Sequence, residues 1–433
     1  MDVSIRTGVI MKKDNVYPAE LGVQSTGKFR ADVTSILGNR PLTGATVSIS
    51  STSDPGTVIA EVQTDIIGRT QEVELPAPNI DYSMEPSQTQ PYSEYNVSVT
   101  IPGYETVKID GVQIFPTITA IQNFSLMPMK DAVGNSEELF TIGPNVLFGD
   151  YPPKIAEVEI KPVSETGEIV LSKVVIPEFI VVHNGPPKDK SAQNYYVKYR
   201  DYIKNVASSE IYATWPEATI QANVLAIQSF TLNRVYTEWY RNKGYNFTIT
   251  SSTAYDHKFI PERNIFDTIS QVVDTIFANY LSFPDVKQPI LTQYCDGRNV
   301  TCPNWMTQWG SKYLGDQGYT AIEILRNFYG NTMFINTAEE VAGVPASWPG
   351  APLEIGSVGD KVRQLQNQLN VISKGYPLIP KVAEDGNFGE KTAEAVSVFQ
   401  RIFDLPETGV VDFPTWYKIS EIYVGVSRIA ELS

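Results

Sequence analysis

Residues 202–218, YIKNVASSEIYATWPEA, join a Ser-Ser-Glu segment to the beginning of a long apolar helix. Pro216 in the first turn and Glu217 near the positive end of the helix dipole indicate where that helix starts. Apolar residues follow on every side of the predicted helix, at Ala218, Ala222, Leu225, Ile227, Phe230, Leu232, Val235 and Trp239. Because they are too numerous for a single stripe, the pattern predicts a central, largely buried helix.

Further helices are predicted on the C-terminal side of this segment. One is expected over about 265–282, and another begins near Trp305 and runs through QWGSKYLGDQGYTAIEILRNFYG. A strand-like run, FTITSS, comes between the first two helices. Residues 176–340 are therefore expected to form a mixed α/β domain.

The part of the chain before this domain is typical of β-structure. Alternating runs such as GKFRADVTSI and ATVSISS are separated by Gly or Pro every 8–12 residues or so, roughly the spacing of a β-sandwich. Residues 1–130 are predicted to be this N-terminal sandwich domain, and the Pro-rich residues 131–175 a connector. Its turns resemble the transthyretin-like fold of carboxypeptidase regulatory domains at Gly44-Ala45-Thr46-Val47, Thr64-Asp65…Gly68-Arg69 and Pro102-Gly103-Tyr104.

Residues 351–425 form the last predicted domain. PLEIGSVGDKVRQLQNQLNVIS gives a helix with its apolar residues on one face, DGNFGEKTAEAVSVFQRIFDL a turn and a second amphipathic helix, and GVVDFPTWYKI a third. The fold class expected for the chain is therefore multidomain α+β, with a β-sandwich, a mixed α/β domain and a three-helix domain.

Composition limits the classes of partner. The 433 residues exceed what one core ordinarily holds. A net charge of −15 argues against nucleic acid, since binding phosphates requires a basic face. The start, MDVSIRTGVIMKK, lacks the apolar stretch of a secretory signal, and no run of 18 apolar residues occurs. Neither a signal peptide nor a membrane span is expected.

The C-terminal domain carries the most specific motif. In Asp385-Gly386-Asn387-Phe388-Gly389 the turn needs glycine where φ is positive. Together with Gly359-Asp360-Lys361-Val362 and Thr408-Gly409-Val410-Val411-Asp412, this motif resembles the peptidoglycan-binding domain type 1 family over the whole domain. The resemblance implies that the domain binds peptidoglycan.

The middle domain resembles the stage II sporulation protein D (SpoIID) family of peptidoglycan enzymes. The resemblance is carried by residues 202–211, Trp215-Pro216-Glu217-Ala218 and Thr307-Gln308-Trp309-Gly310. In that family the glutamate of the Ser-Glu element is the catalytic acid, and this role falls on Glu210. The implied activity is that of a lytic transglycosylase, which cleaves the bond between N-acetylmuramic acid and N-acetylglucosamine.

This chemistry needs only one carboxyl group. Ordinary glycosidases use two, whereas a lytic transglycosylase uses the substrate's own 6-hydroxyl as the nucleophile. A single glutamate then protonates the leaving oxygen and deprotonates that hydroxyl, and it needs the raised pKa that apolar neighbours supply. The apolar residues around Glu210 agree with this role. Candidate substrate contacts are Tyr255, Asp256, Gln308 and Trp309.

The chain departs from the family in one loop. Many relatives carry Gly-x-Gly-His-Gly-x-Gly before the Thr-Gln-Trp-Gly element, where this chain has VTCPNWM at 300–306. Neither a metal nor another cofactor is expected, although zinc stays an alternative with His257, Cys295 and Cys302 as the candidate ligands. The two cysteines leave a local disulfide, two free thiols or two metal ligands open, and the missing signal peptide favours free thiols.

The order of the domains resembles the precursors of clostridial spore cortex-lytic enzymes. The resemblance implies a zymogen made in the mother-cell cytoplasm, located in the spore cortex region and activated in germination by a subtilisin-like Csp-type protease. The implied substrate is cortex peptidoglycan containing muramic-δ-lactam. We expect the activating cut within 169–176, around Lys173, Val174 and Val175. An enzyme of the vegetative wall, an N-acetylmuramoyl-L-alanine amidase and a non-catalytic wall-binding scaffold are the alternatives.

Overall fold

The chain contains two compact units in a computed structural model that describes residues 25–129, 137–157, 171–345 and 347–427. The first unit combines Met1–Asn79, Tyr92–Ile142 and Val344–Ser433, and the second combines Ile80–Pro91 with Gly143–Gly343. Both helices and several sheets are present, so the multidomain α+β class is confirmed.

Strands predominate in the N-terminal half of the described residues, and helices predominate in the C-terminal half. The strands are β1 (Ser25–Ser35), β2 (Arg40–Pro41), β3 (Thr46–Ser51), β4 (Asp54–Gln63), β5 (Val73–Ala77), β6 (Ser93–Thr100), β7 (Thr106–Ile114), β8 (Thr119–Leu126), β9 (Glu137–Thr141), β10 (Val175–Ile176), β11 (Phe179–His183), β12 (Asn194–Lys198), β13 (Ile249–Thr250), β14 (Ile265–Phe266), β15 (Asn279–Ser282), β16 (Tyr294–Cys295), β17 (Met306–Thr307), β18 (Phe334–Thr337) and β19 (Glu340–Val341). The α-helices are α1 (Asp81–Met84), α2 (Tyr199–Glu210), α3 (Glu217–Tyr236), α4 (Asp267–Ile276), α5 (Gln308–Asp316), α6 (Ala321–Tyr329), α7 (Asp360–Ile372), α8 (Glu390–Ile402) and α9 (Phe413–Ser427).

The N-terminal part of the first unit consists of two sheets. One sheet has the order β4-β3-β6-β7-β9, and in the other β1 pairs with β2 and β5 antiparallel and with β8 parallel. Alternate residues are buried along several of these strands, such as Phe29, Ala31 and Val33 of β1 and Val97 and Val99 of β6. This period of two gives these strands one buried, apolar face.

The C-terminal part of the first unit contains α7, α8 and α9 around a buried core that includes Leu365, Leu369, Phe399 and Trp416. Two glutamines hold its turns in the same way. The side chain of Gln366 donates to Asn387 O at 2.9 Å and accepts from Gly386 N at 2.8 Å. Gln400 likewise donates to Val410 O and accepts from Gly409 N. Gly386 and Gly409 both have positive φ, which explains the glycines of the motif.

An ion-pair cluster joins the two parts of the first unit. Asp404, in the turn after α8, accepts from Arg30 Nη2 at 2.7 Å and from Arg69 Nη2 at 3.0 Å. Arg69 also pairs with Asp32 of β1 at 2.8 Å, and its Nη2 donates to Ile402 O. Since these side chains are largely shielded from solvent, the sheets and the C-terminal helices are held together by charge as well as by packing.

The second unit is built around α3. Sixteen of its side chains are buried, distributed over all sides of the helix, as the sequence predicted. Helices α2, α4, α5 and α6 and strand β15 pack against it, and a small sheet has the order β12-β11-β13. Residues 80–91 also belong to this unit, where Trp215 Nε1 donates to Ser83 O at 2.9 Å.

Several predicted boundaries need correction. Of the predicted connector 131–175, residues 137–141 form β9 of the first unit, while 143–157 and 171–175 pack within the second, and residues 130–136 and 158–170 lie outside the described part. The helix predicted over 265–282 ends at Ile276 and is followed by β15, because Tyr280 and Leu281 pair with β18. The helix predicted from Trp305 is two helices, separated at Gly318, whose φ is positive.

None of the helices in the described ranges is both long and apolar enough to cross a membrane.

Candidate active site

Glu210 is the last residue of α2, and its carboxyl group is buried, with 2% of the residue exposed. Oε1 accepts a hydrogen bond from the backbone N–H of Lys258 at 2.6 Å, and Oε2 accepts one from the Tyr294 hydroxyl. Gln308 Nε2 donates to the backbone oxygen of Glu210 at 3.0 Å. The carboxyl group is therefore fixed by two segments of the second unit, and a third segment holds the backbone of Glu210.

The end of α2 is itself fixed by amide side chains. Asn205 donates to Ile260 O at 2.7 Å and accepts from Ile260 N at 3.0 Å, which ties α2 to the loop that carries Lys258. Asn145 donates to the backbone oxygens of Ser208 and Ile211, the residues on either side of the helix end. These contacts satisfy carbonyls that a helix leaves without an intrahelical partner at its C-terminus.

A cleft of about 530 Å³, including space open to solvent, lies in front of this carboxyl group. Its walls come from the segment 143–157, which we call the strap, and from the loop 294–300, with Glu210, Thr253 and Gln308 between them. Glu210 is thus sheltered from bulk water and still lines an open cleft.

The charges around Glu210 oppose one another. Burial raises the pKa of the Glu210 carboxyl above its ordinary value, while the positive charge of Lys154 and the hydrogen bonds from Tyr294 and Lys258 lower it. Burial dominates, so the carboxyl group retains its proton to a higher pH than an exposed glutamate does. Burial also raises the pKa of Tyr294 well above its ordinary value, which keeps this hydroxyl a donor.

His257 packs against Tyr294, the residue that donates to the Glu210 carboxyl group. Its Nδ1 is 3.0 Å from the Tyr202 hydroxyl, and its ring stacks with that of Tyr294 at 5.9 Å between centroids. Burial and the charges of Lys154 and Arg234 lower the pKa of His257 well below its ordinary range, so the ring is neutral near pH 7. Its contacts support the position of Tyr294.

Of the four predicted substrate contacts, Gln308 lines the cleft and the other three do not. Gln308 lines the cleft, although its amide nitrogen is used by Glu210 O. Trp309 is half-buried and packs against Tyr212 and Trp215 at centroid distances of 5.9 and 5.1 Å. Neither Tyr255 nor Asp256 lines the cleft.

The prediction for Asp256 needs correction, because its side chain is completely buried. One carboxylate oxygen pairs with Arg234 Nε at 2.7 Å, and the other accepts from the Tyr240 hydroxyl and from both the N–H and the hydroxyl of Thr250. The side chain therefore has a structural role in fixing the loop that carries His257 and Lys258.

Cys295 and Cys302 are bonded to each other, with 6.0 Å between their Cα atoms, so the preference for free thiols was wrong. The disulfide closes the loop that supplies Asp296, Asn299 and Val300 to the cleft wall. Among the residues that the structure describes, no group of three or more His, Cys, Asp or Glu side chains is placed to hold a metal ion, and His257 is not joined to the cysteines. The zinc alternative receives no ligand group there.

The predicted cleavage region is only partly described, since residues 169 and 170 lie outside the described ranges. Lys173 pairs with Glu340 at the surface, whereas Val174 is 3% exposed. Val175 belongs to β10, which pairs in parallel with β19. A cut at Val174–Val175 therefore requires this two-stranded sheet to open first, and the site stays a prediction.

Three residues of the site were not found from the sequence. Tyr294, Lys154 and Lys258 surround Glu210, but they are 84, 56 and 48 positions away from it along the chain and belong to no motif. Lys258 acts through its charge and through its backbone N–H, and the N–H is a group that any residue other than proline supplies. Only the tertiary structure identifies these three.

Comparison with protein families finds one match, in the C-terminal part. A family model of the peptidoglycan binding domain matches residues 358–419, so the prediction of such a domain is confirmed there. The matched region contains α7, α8 and the beginning of α9, together with Gln366 and Gln400. The chain therefore has a domain for association with the cell wall.

The solved structures to which the chain is similar match it only in part. No curated protein matches the chain. Among solved structures it is similar to 3-chlorocatechol 1,2-dioxygenase from Rhodococcus opacus 1CP (15% identity, 28% of this chain and 63% of that chain, TM-score 0.18), to catechol 1,2-dioxygenase from Pseudomonas arvilla C-1 (14%, 29% and 58%, TM-score 0.20) and to GBS52, the minor pilin of Streptococcus agalactiae (14%, 25% and 47%, TM-score 0.18). The chain spans between 47% and 63% of the length of these structures, and at these TM-scores the similarity carries no argument.

Proposed function

We propose that the chain is a peptidoglycan-cleaving enzyme with a single glutamate, Glu210, as acid and base. The observation that carries the proposal is that Glu210 is buried in the second unit and still lines its open cleft. Its raised pKa suits proton donation to a glycosidic oxygen. The peptidoglycan binding domain at 358–419 provides attachment to the same polymer.

The other carboxyl groups of the cleft favour a one-carboxyl mechanism. Both oxygens of Asp296 accept backbone N–H groups of its own loop, from Asn299 at 2.7 Å and Val300 at 3.0 Å. That carboxylate is therefore occupied in holding the loop. Asp150 is exposed on the strap and is the remaining candidate for a second carboxylate. The reaction proposed is the lytic transglycosylase reaction, in which the substrate's 6-hydroxyl replaces water.

The biological setting of the proposal comes from the resemblance in domain order to the SleC-type spore cortex-lytic enzymes. On this proposal the protein is a zymogen located in the cortex region of the spore, and a subtilisin-like germination protease removes its N-terminal part. The preferred substrate is cortex peptidoglycan with muramic-δ-lactam. N-terminal sequencing after protease treatment tests the cleavage position, and a mature start upstream of residue 140 would contradict the cut expected within 169–176.

Product analysis tests the chemistry. Protease-activated protein is incubated with cortex peptidoglycan, and the released fragments are identified by mass spectrometry. We expect 1,6-anhydro-muropeptides from the wild type and from Glu217→Gln, an exposed glutamate that serves as the matched control, and none from Glu210→Gln. Reducing muramic ends would favour hydrolysis with Asp150 as a second carboxylate. Free stem peptides would identify an amidase.

A wall-binding scaffold is the second candidate, because the family match covers only a binding domain. Its signature is binding of the activated protein to cortex peptidoglycan without release of any fragment. Comparing lactam-containing cortex with vegetative sacculi then identifies which wall the protein prefers.

A further inference from the structure

The strap (residues 143–157) provides one wall of the cleft, including Tyr151, Pro152, Pro153 and Lys154. It is firmly attached to the rest of the second unit. Ile155 N donates to Ala254 O at 2.7 Å, and the backbone of Glu157 exchanges two hydrogen bonds with the Gln293 amide, each 2.8 Å long. The Glu157 carboxylate also binds both terminal nitrogens of Arg234, at 2.7 and 2.9 Å. The strap is therefore a fixed wall of the cleft.

Lys154 of the strap lines the same cleft as Glu210, and its charge acts on the Glu210 carboxyl group. Its ammonium group lies 5.0 Å from the centre of the Phe230 ring and 5.4 Å from that of Tyr294, and it donates to Asp256 O. The hydroxyl of the same Tyr294 donates to Glu210 Oε2. Two aromatic rings and one backbone carbonyl thus hold the Lys154 ammonium group in the cleft, and none of these contacts uses the carboxyl oxygens of Glu210.

We infer that Lys154 is a positioning residue of the reaction, whose charge stabilises the Glu210 carboxylate that forms when the proton leaves. This inference rests on the proposed function and deepens it. In the first step the proton of Glu210 goes to the glycosidic oxygen as the bond from muramic C1 to that oxygen breaks. In the second step the 6-hydroxyl attacks C1, and its proton goes to Glu210. No water is consumed, and the carboxylate exists only between the two steps.

The charged and titratable groups around the pair come from several segments of the second unit. Glu210 is approached by Lys154 of the strap, by Tyr294 of β16 and by Lys258 of the loop after β13. His257 stacks on Tyr294, and Asp150, Tyr151 and Asp296 also lie around the cleft. Burial lowers the pKa of Lys154, whereas Glu210, Asp256 and Glu157 raise it and Arg234 lowers it. Lys154 has the largest effect of these charges on Glu210.

The test replaces Lys154 and measures both the reaction and the carboxyl group. Lys154→Met removes the charge and retains most of the side-chain volume, and Lys154→Gln is made in parallel with a polar group. Lys188→Met, an exposed lysine of the same unit, is the matched control. All are measured in the full-length protein after activation, with kcat and KM for cortex peptidoglycan determined across pH.

For both variants we expect kcat to fall about tenfold, which corresponds to about 1.4 kcal/mol of lost transition-state stabilisation, with little change in KM. The fall in activity at alkaline pH, which reports loss of the Glu210 proton, should move to higher pH, because a counter-charge that favours the carboxylate is gone. The same shift should appear in an infrared titration of the carboxyl stretch, assigned by its absence in Glu210→Gln.

Unchanged infrared titration and pH–rate profiles in both variants would overturn the role of Lys154. The infrared measurement needs no turnover, so it separates this inference from the proposed function. If the wild type releases no anhydro-muropeptides but the Glu210 titration shifts in Lys154→Met, the proposed reaction fails and the electrostatic coupling stands. If products form normally and the titration does not shift, the coupling fails and the reaction stands.

Discussion

Arg234 and Asp256 form an ion pair in which neither side chain is exposed, with 2.7 Å between Arg234 Nε and Asp256 Oδ1. Asp256 directly precedes His257, whose ring stacks on Tyr294, and Lys258, whose backbone N–H donates to the Glu210 carboxyl group. Arg234 is also held by Glu157 at the end of the strap. One buried guanidinium therefore fixes both the strap and the loop that carries Lys258.

Asp256→Asn should destabilise the second unit by about 3–5 kcal/mol, because it leaves part of a buried cation unpaired. Urea unfolding followed by tryptophan fluorescence measures the change. Asp201→Asn, an exposed acid at the start of α2, should cost less than about 1 kcal/mol. A variant with wild-type stability and a raised KM would instead restore the idea that Asp256 contacts the substrate.

Glu210→Gln should stabilise the protein near neutral pH. The pKa of Glu210 is raised in the folded state, so its contribution to stability is present below its unfolded value of 4.5 and is lost as the pH rises through the folded value. Glutamine suffers no such loss. Thermal unfolding should therefore give a higher Tm than the wild type at about pH 8 and no difference at about pH 4. Equal Tm values at both pH values would show that burial does not penalise the charged form.

Tyr294→Phe should lower kcat by roughly 100-fold, which is typical of removing one donor to a developing oxyanion. The hydroxyl donates to Glu210 and lowers the pKa of its carboxyl group. Its removal raises that pKa further, so the alkaline fall in activity should move to higher pH. Tyr313→Phe removes a hydroxyl from a residue that is 67% exposed and serves as the control. An unaltered profile for Tyr294→Phe would remove this tyrosine from the mechanism.

Asp404→Ala should lower the free energy of unfolding of the first unit by about 2–4 kcal/mol. The carboxylate accepts from both Arg30 and Arg69, and the backbone of Asp404 has a φ of +56°, which alanine adopts less readily than aspartate. Calorimetry of the full chain measures the loss, which should shrink in high salt because the cluster is only partly buried. Glu407→Gln, which breaks an exposed 3.8 Å pair with Arg401, should change little.

Cys302→Ser should release the loop 295–302 and weaken substrate binding. The closed loop is short, so the loss of stability is expected to be about 2 kcal/mol. Because the loop supplies Asn299 and Val300 to the cleft, KM should rise more than kcat falls. Treatment of the wild type with a reductant should reproduce both effects, and identical kinetics with and without reductant would show that the disulfide is dispensable.

The sequence alone determined the features that depend on local spacing. The buried helix α3 follows from apolar residues on every side, and the three C-terminal helices follow from apolar stripes and from glycines with positive φ. The resemblance of the Ser-Ser-Glu segment to the SpoIID family pointed to Glu210 as a candidate before its surroundings were known. Such signals are readable because the residues that make them are neighbours along the chain or share a helix face.

Only the tertiary structure decided what surrounds Glu210. Lys154 and Tyr294 act on it from segments that carry no motif. Asp256, which the sequence predicted to contact the substrate, is instead buried in an ion pair with Arg234. Likewise, Arg69 and Asp404 of the first unit are in contact although they are 335 positions apart along the chain. A charge shows its partner only when the chain is folded, because electrostatic energy depends on distance in space and on burial, and neither is encoded in spacing along the sequence.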